Sequence, residues 1–224
     1  DTDEILLNDA LGSSVDSLFL TIDEQGLHTL SAVEETIRSR KIELHCSVQE
    51  KELGRSLHDQ FGTTNKMSTT MNGTKDENLD FWQELRNGQY NSNIQFRHST
   101  AEQEDPVELL TALLSDWLSD LEGLPEKRRD VFARQTHLII PSGPYFLAEI
   151  AKVRALKILW LNLMESKTLP VNYPVITVCI PRSLYGEDPQ INHIKASVSA
   201  MSAVLSGADS VLVSSIQDEE EVSS

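Results

Sequence analysis

Short apolar segments alternate with helical segments along most of this chain, and that alternation limits its fold more than any other feature. The strand-like segments 15–23 and 41–48 are each followed by a helical pattern, at 30–40 and 49–61. No hairpin turn joins the units, and repeated β-α units without hairpins predict a parallel sheet that is covered by helices.

The alternation returns in the second half of the chain. Further strands are predicted at NIQFRHST, THLIIPSG, YPVITVCIPRS and SVLVSSIQ, which are residues 93–100, 136–143, 173–183 and 210–217. The sequence contains neither G-x-G-x-x-G nor G-x-x-x-x-G-K-[ST], so the usual nucleotide-binding signatures of doubly wound sheets are missing. We therefore predict an α/β fold of the (β/α)8 TIM-barrel type, here an incomplete barrel of about six parallel strands with helices.

The predicted strands fall into two blocks of one barrel. Residues 1–61 are expected to form the first β/α units, and residues 94–224 the later ones. Between them, residues 62–93 are rich in Thr, Asn, Gly, Lys and Asp, which predicts a long insertion or loop with one helix at 79–87. Because about six strands cannot close an eight-stranded barrel, we expect the remainder to come from a longer chain, a partner chain or a second copy.

Charge and cysteine content narrow the functional classes. The sequence has 19 Lys and Arg against 35 Asp and Glu, a net charge of −16 that repels nucleic acid and anionic membranes. Cys46 and Cys179 are too few and too far apart for a metal cluster or a disulfide framework, and are expected to be buried thiols. The apolar stretch at 155–164 is shorter than the ~20 residues that span a bilayer. These features predict a cytoplasmic protein without a metal site.

One helix carries a specific resemblance. YFLAEIAKVRALKILW, at 145–160, resembles the signature helix of the methylmalonyl-CoA mutase family, which contains E-I-A-K-x-R-A and a later Trp. Residues 97–121 resemble the strand end that carries an active-site His and the helix after it. Residues 188–213 resemble a later D-P-x-x-N segment with its strand. Agreement with the family is good over about 97–221, weak over 1–50 and absent over about 51–92.

The resemblance implies an isomerase that rearranges acyl-CoA thioesters by a radical route. Adenosylcobalamin supplies the radical in this family, a (β/α)8 barrel encloses the substrate, and a separate flavodoxin-like domain with D-x-H-x-x-G holds the cobalamin. That motif does not occur in this chain. We therefore expect adenosylcobalamin in the complex and none bound by this segment alone.

Arg154 is a cation on a largely apolar helix. It has Ile150, Ala151 and Ile158 at its i±3 and i±4 positions, and it points away from the nearest charged side chains. If the segment is a barrel helix of this family, the simplest explanation is a structural role in which a carboxylate from a neighbouring helix holds the guanidinium. Removing one partner of such a buried pair costs about 3–5 kcal/mol.

The chain departs from the family where the thioester is bound. Catalytic members read close to T-H-C-Q-T-S-G-W-S-L before the D-P, whereas this chain has Val178 for the His and Ile180 for the Gln. Apolar side chains cannot hydrogen-bond a thioester oxygen, and Pro181 removes a backbone donor. Lys195 replaces the family's Arg, which keeps the charge but loses the bidentate fork.

Three residues are candidates for binding substrate. His98 falls where catalytic chains have a His that is thought to contact the substrate carbonyl, and an imidazole at a strand end can polarise such a group. It can equally be an ordinary loop His. Arg182 and Lys195 are the other candidates, and no residue is assigned as catalytic.

Many members of the family are heterodimers of a catalytic chain and a homologous smaller chain that has lost the site. The lost polar residues predict that this chain is the small (beta) non-catalytic subunit, whose partner is the catalytic large subunit that interconverts methylmalonyl-CoA and succinyl-CoA. The sequence does not choose among methylmalonyl, ethylmalonyl and isobutyryl thioesters. Self-association of the segment is left open.

Two other classes stay open. One is a catalytic acyl-CoA mutase segment, with His98, Arg182, Tyr185 and Lys195 facing the substrate. The other is an unrelated TIM-barrel enzyme that forms a Schiff base at Lys152, Lys157 or Lys195. The first two of these lysines lie in a helix and not at a strand end, where barrel chemistry sits.

Overall fold

The computed structural model describes seven parts of the chain, which are residues 17–48, 51–61, 67–71, 80, 92–94, 96–99 and 105–214. The chain divides into two compact units, Asp1–Phe96 and Arg97–Ser224. Both contain a four-stranded sheet with helices beside it, which confirms the α/β class.

The first unit is built on a fully parallel sheet. Its strands, in spatial order, are β1 (Ser17–Ile22), β2 (Glu43–Val48), β3 (Met67–Met71) and β4 (Ser92–Ile94). Three helices accompany them, which are α1 (Glu24–Ala32), α2 (Glu34–Arg40) and α3 (Lys51–Phe61). The side chain of Asp23 starts α1 by accepting a hydrogen bond from the Gly26 amide at 2.7 Å.

Strand β2 lies in the core of the first unit. Leu44, Cys46 and Val48 are fully buried at alternate positions, as expected for one covered face of a strand. Leu57 and Phe61 on α3 are also fully buried. The prediction of a buried thiol is confirmed for Cys46, whereas Cys179 in the second unit is only half-buried.

The second unit contains the other sheet. Its strands, in spatial order, are β5 (Phe96–Ser99), β6 (Thr136–Pro141), β7 (Val175–Ile180) and β8 (Ser210–Val213), of which β6, β7 and β8 are parallel. The helices are α4 (Pro106–Gly123), α5 (Glu126–Arg134), α6 (Phe146–Ser166) and α7 (Pro189–Ser206), and a 3₁₀ turn covers Arg182–Leu184. Each of α4 and α7 begins with an Asp cap followed by Pro.

Two tryptophans join α4 and α6 in the core of this unit. The rings of Trp117 and Trp160 are 4.5 Å apart at a tilt of 60°, and both residues are fully buried. The Trp117 indole donates to the hydroxyl of Thr136 at 2.9 Å, and that of Trp160 donates to the carbonyl of Asn172 at 2.8 Å. Each buried indole therefore has the polar partner that its N–H requires.

A polar chain crosses the middle of the second sheet. The buried imidazole of His137 on β6 lies 2.7 Å from the Thr177 hydroxyl on β7, which lies 2.5 Å from the Ser210 hydroxyl on β8. Thr177 and Ser210 are register partners in the ladder. The Thr177 hydroxyl therefore connects β6, β7 and β8 through side-chain hydrogen bonds.

The predicted strand count is wrong. The described residues contain eight strands, not about six. The segment predicted as one strand at 93–100 includes the end of β4 and all of β5, which lie in different sheets. Strand β3 reads MSTTM and has no apolar run to reveal it, although β-branched Thr favours strands. Both β3 and most of β4 fall in the stretch 62–93, and most of the helix predicted at 79–87 lies outside the described residues.

Among the described helices, none combines the length and apolar character that a membrane span needs.

Candidate functional site

A cavity of about 600 Å³ lies within the second unit, where β6 and β7 end. Its lining comes from the loop that joins β6 to α6, from the start of α6, from the turn after β7 and from the first residue of α4: Pro106, Pro141, Ser142, Gly143, Pro144, Tyr145, Ala148, Glu149, Lys152, Pro181, Ser183 and Leu184. The carboxyl ends of parallel strands are where α/β folds bind ligands. The size is also within the range of small-molecule sites.

Proline shapes the walls of this cavity. Four of its lining residues are Pro106, Pro141, Pro144 and Pro181. Proline has a fixed φ and no N–H, so these positions are stiff and offer no main-chain donor. The amide of Ser142 is also used, because it donates to the carbonyl of Cys179 at 2.7 Å and extends the ladder between the strand ends. These five positions therefore offer the cavity no free main-chain donor.

A buried ion pair forms one side of the cavity. The Nζ of Lys152 lies 2.5 Å from Oε2 of Glu149, and the two residues are only 6% and 8% exposed. They stand three positions apart on α6, a spacing that brings side chains together on one face. Lys152 also donates to the carbonyl of Pro141, the last residue of β6, at 2.6 Å. The ammonium is thus fixed between a helix and a strand end.

Glu149 lies in the first turn of α6, where the helix dipole stabilises a negative charge. The room for its carboxylate depends on Gly143. A Cβ at position 143 would stand 2.9 Å from Oε1 of Glu149, closer than real Cβ contacts allow. The glycine is therefore needed for close approach to the carboxylate and not for an unusual backbone angle.

The cavity presents little uncompensated charge. Its charged residues are Glu149 and Lys152, and these neutralise each other. The remaining polar side chains are those of Ser142, Tyr145 and Ser183. Such side chains can hydrogen-bond a small polar group, but none of the described lining residues is the unpaired cation that a phosphate or carboxylate ligand requires.

Two of the three predicted substrate-binding residues, Arg182 and Lys195, are not among the described residues that line the cavity. Arg182 is exposed at the start of the 3₁₀ turn, next to the lining residue Ser183. Lys195 is exposed on α7 and donates to the carbonyl of Leu184 at 2.8 Å, so it connects α7 to the same 3₁₀ turn. His98 lies in β5, and its side chain is outside the part of the structure that is described.

Tyr185 was the fourth residue considered for the catalytic alternative. Its hydroxyl donates to the carbonyl of Ser214 at 3.3 Å, which ties the turn after β7 to the end of β8. Burial, together with the nearby Cys179 thiol, raises the pKa of Tyr185. The phenol is therefore held neutral as a structural donor.

The lysines considered for Schiff-base chemistry are all engaged. Lys152 lies on a helix, but its side chain reaches the end of β6, which corrects the expectation that a helical lysine cannot sit at a strand end. It is nevertheless paired with a carboxylate and is not the free amine that a Schiff base needs. Lys157 donates to the carbonyl of Gly207 and lies 6.0 Å from the centre of the Tyr173 ring.

Arg154 is also placed differently from the prediction. It is exposed, and it donates to the main-chain carbonyl of Leu205 at 3.2 Å instead of to a carboxylate. Leu205 belongs to the last turn of α7, whose carbonyls have no partner within the helix. Arg154 and Lys157 therefore cap the C-terminus of α7, where positive charge is favourable. The buried pair on α6 exists, but it is Glu149 with Lys152.

Glu149 was missed as a site residue, and Lys152 was considered only for Schiff-base chemistry in an unrelated enzyme. Their signal in the sequence is a Glu and a Lys spaced i, i+3 in the helix that directly follows the strand and the loop Ser142–Tyr145. A charged pair this close to a strand end faces either solvent or the mouth of the sheet. The sequence alone does not decide between the two.

Comparison with known proteins gives a family match for the part of the chain that holds most of the cavity's lining residues. Residues 126–223 match the methylmalonyl-CoA mutase family. The match takes in β6, α6, β7 and α7, but it spans less than half of the chain. This match supports the resemblance at the level of the family. The family is one of isomerases. No curated protein matches the sequence.

Solved structures give a likeness in fold. The chain is similar to dihydropteroate synthase from Thermus thermophilus, a TIM-barrel enzyme, with a TM-score of 0.53 and 14% sequence identity. The likeness covers 98% of this chain and 85% of that one. At this identity the likeness concerns the fold alone, and it supports the predicted TIM-barrel type.

The mutase family is generally cobalamin-dependent, so the cavity can be tested for such a cofactor. Among the described residues that line it there is no histidine to bind cobalt, and Lys152 and Glu149 are occupied with each other. Within the described ranges no group of three or more His, Cys, Asp or Glu is arranged to hold a metal ion. The residues of this cavity do not fit cobalamin.

Proposed function

We propose that this chain is the small (beta) subunit of an adenosylcobalamin-dependent methylmalonyl-CoA mutase, and that it is not itself catalytic. In this proposal it stabilises the catalytic large subunit, which interconverts methylmalonyl-CoA and succinyl-CoA and holds the cobalamin. The family match over 126–223 is the starting point. The subunit role goes beyond that match.

The observation that carries the proposal is the state of the charged residues in the cavity. A site that handles acyl-CoA needs donors or cations that are free to meet a thioester oxygen, a carboxylate or a phosphate. Here Lys152 is held by Glu149 and by the Pro141 carbonyl. A substrate would have to break a buried ion pair before it could use that cation.

Strand β7 supports the same proposal. Val178 and Ile180, which replace the family's His and Gln, are buried in the core at 2% and 0% exposure. Pro181, which follows them, is a wall of the cavity and has no N–H to donate. These side chains stabilise the sheet by apolar burial and have no group to offer a thioester.

The experiment compares the catalytic chain with and without this subunit. Both chains are co-expressed, the complex is weighed, and isomerisation is assayed with adenosylcobalamin. Arg182→Ala and Lys195→Ala in this chain serve as discriminating variants. The proposal expects a one-to-one ratio of the chains, no turnover by this chain alone and unchanged kcat in both variants. Full activity and unchanged stability of the catalytic chain by itself would contradict it.

One observation favours a second candidate, a catalytic acyl-CoA mutase segment. The cavity has ligand size and lies at the carboxyl ends of parallel strands. In that case His98, Arg182 and Lys195 would contact substrate when further chain completes the site. Tight acyl-CoA binding by this chain alone, lost in Arg182→Ala, would favour this candidate over the subunit role.

A further inference from the structure

Helix α7 buries small and polar residues and exposes large aliphatic ones. Besides Val204, which is 67% exposed and lies to one side, the solvent-facing side carries a row of large aliphatic residues that are between 39% and 63% exposed: Ile191, Ile194, Val198, Met201 and Leu205. Single exposed aliphatic residues are common on protein surfaces, but a continuous row along one helix indicates an interaction surface. We call these five residues the α7 stripe.

The buried side of the same helix is made of small and polar residues. They are Asn192, Ala196, Ser199, Ser202, Ala203 and Ser206. The hydroxyls of Ser202 and Ser206 donate to carbonyls of their own helix, at 2.8 and 2.6 Å, so both donors are satisfied within the helix. The helix therefore packs against its own unit through small side chains, and its large apolar side chains are left exposed.

The spacing of the α7 stripe specifies a helical occupant. Successive members stand three, four, three and four residues apart, which is the a/d repeat of a coiled coil. The helix has 18 residues, so the row is long enough for about two heptads of side-by-side packing. A flat sheet or an extended peptide would not match this repeat.

A second copy of the same helix is complementary to the stripe. Ile191 and Leu205 lie seven residues before and after Val198, so an antiparallel copy places aliphatic residues against aliphatic residues along the full row. Such a pairing has two-fold symmetry, which is the commonest arrangement of homodimers. Antiparallel helices also place their dipoles in favourable opposition.

Charge selects the same direction. The exposed acids Glu187 and Asp188 stand at the N-terminal end of α7, whereas Arg154 and Lys157 hold its C-terminal carbonyls. An antiparallel copy brings the acids of one chain towards the cations of the other at both ends. A parallel copy would place cations against cations.

We propose that the α7 stripe is a homodimer seam, in which two copies of this chain pack α7 against α7 in antiparallel orientation about Val198. The seam is independent of the proposed function, because it needs neither the catalytic chain nor cobalamin. A stable interface buries about 800 Å² on each partner around an apolar centre. The stripe supplies the apolar centre, and the residues that flank it would have to supply the remaining area.

The test is the mass of the chain in solution, measured by sedimentation equilibrium over a range of concentrations. We expect a dimer for the wild type and a weakening of self-association of at least about 100-fold for Val198→Glu, which buries a charge at the centre of the seam. Met201→Glu repeats the test beside the centre. The matched control is Ser197→Glu, whose charge is next in sequence and exposed but off the stripe, and it should remain dimeric.

Glu187→Lys tests the direction of pairing. It should weaken the antiparallel dimer several-fold, and more so at low salt, because it places a cation against Arg154 and Lys157 of the second copy. Circular dichroism must show the same helix content in all variants. A concentration-independent monomer, association only with the catalytic chain, or a dimer that survives both Val198→Glu and Met201→Glu would overturn the proposal.

Discussion

The carboxylate of Glu149 and the ammonium of Lys152 form a buried ion pair one helical turn from the end of β6, with 2.5 Å between Nζ and Oε2. The lysine continues to the carbonyl of Pro141. This pair connects the first turn of α6 to the sheet, and it also occupies the lysine found among the described residues that line the cavity. The same contact therefore stabilises the unit and leaves that lysine without a free charge for a ligand.

The first prediction concerns that pair. Lys152→Met or Glu149→Gln alone should lower the free energy of unfolding by about 3–5 kcal/mol, because each leaves a buried charge without its partner. The double variant should cost clearly less than the sum of the two single changes. Urea unfolding of the four proteins measures this coupling. As a control, Arg134→Met breaks the exposed pair with Asp130 and should leave stability essentially unchanged. Additive single effects would contradict a direct pair.

A second prediction concerns the glycine beside the carboxylate. Gly143→Ala places a Cβ 2.9 Å from Oε1 of Glu149 and should destabilise the protein by about 1–3 kcal/mol. Gly186→Ala is the matched control, because a Cβ there meets no atom within 4 Å. Thermal unfolding followed by circular dichroism compares the two. Equal midpoints for both variants would show that the carboxylate has more room than the structure gives it.

A third prediction separates the two explanations of Arg154. As an exposed cap of the α7 C-terminus, Arg154→Met should cost about 0.3–1 kcal/mol. A buried pair with a carboxylate would cost about 3–5 kcal/mol. Chemical denaturation distinguishes these ranges. The loss should grow when Lys157→Met is combined with it, since both side chains hold carbonyls at the same helix end.

A fourth prediction is a pH dependence in the first unit. Burial lowers the pKa of His58 from 6.5 to about 4, although Asp59 opposes part of that shift. The unfolded chain therefore binds a proton between these values while the folded chain does not, so stability is complete above about pH 6.5 and falls as the pH drops towards 4. The full loss is on the order of 3 kcal/mol.

Urea unfolding of the wild type at several pH values between 7 and 4 checks this dependence. His58→Gln should flatten the decline, whereas His28→Gln, at an exposed position, should leave it unchanged. An equally steep decline in His58→Gln would assign the effect to other groups.

The strands with apolar residues could be predicted from the sequence, and those without them could not. Segments such as VITVCI and ELHCSV are both apolar and β-branched or alternating, so their burial is visible in the letters. Strand β3 has no such pattern and depends on its neighbours in the sheet. The separation of β4 from β5 is a matter of topology that a single continuous pattern at 93–100 conceals.

The cavity was harder to predict because its walls come from positions far apart in the chain. Pro106, Glu149 and Ser183 meet there only when three β-α junctions share one end of the sheet. The exposure of the Arg154 side chain could not be predicted for a different reason. Helix α6 exposes Leu147 and Ile158 on the same side as the arginine, so its apolar residues do not mark a buried face.

The measurement that tests the central claim most directly is adenosylcobalamin-dependent isomerisation by the catalytic chain, with and without this chain, together with the mass of the complex. We predict a one-to-one ratio of the two chains, no turnover or acyl-CoA binding by this chain alone, and lower activity or stability of the catalytic chain when it is left out. Turnover by this chain alone, or a catalytic chain that is equally active and stable without it, would contradict the account.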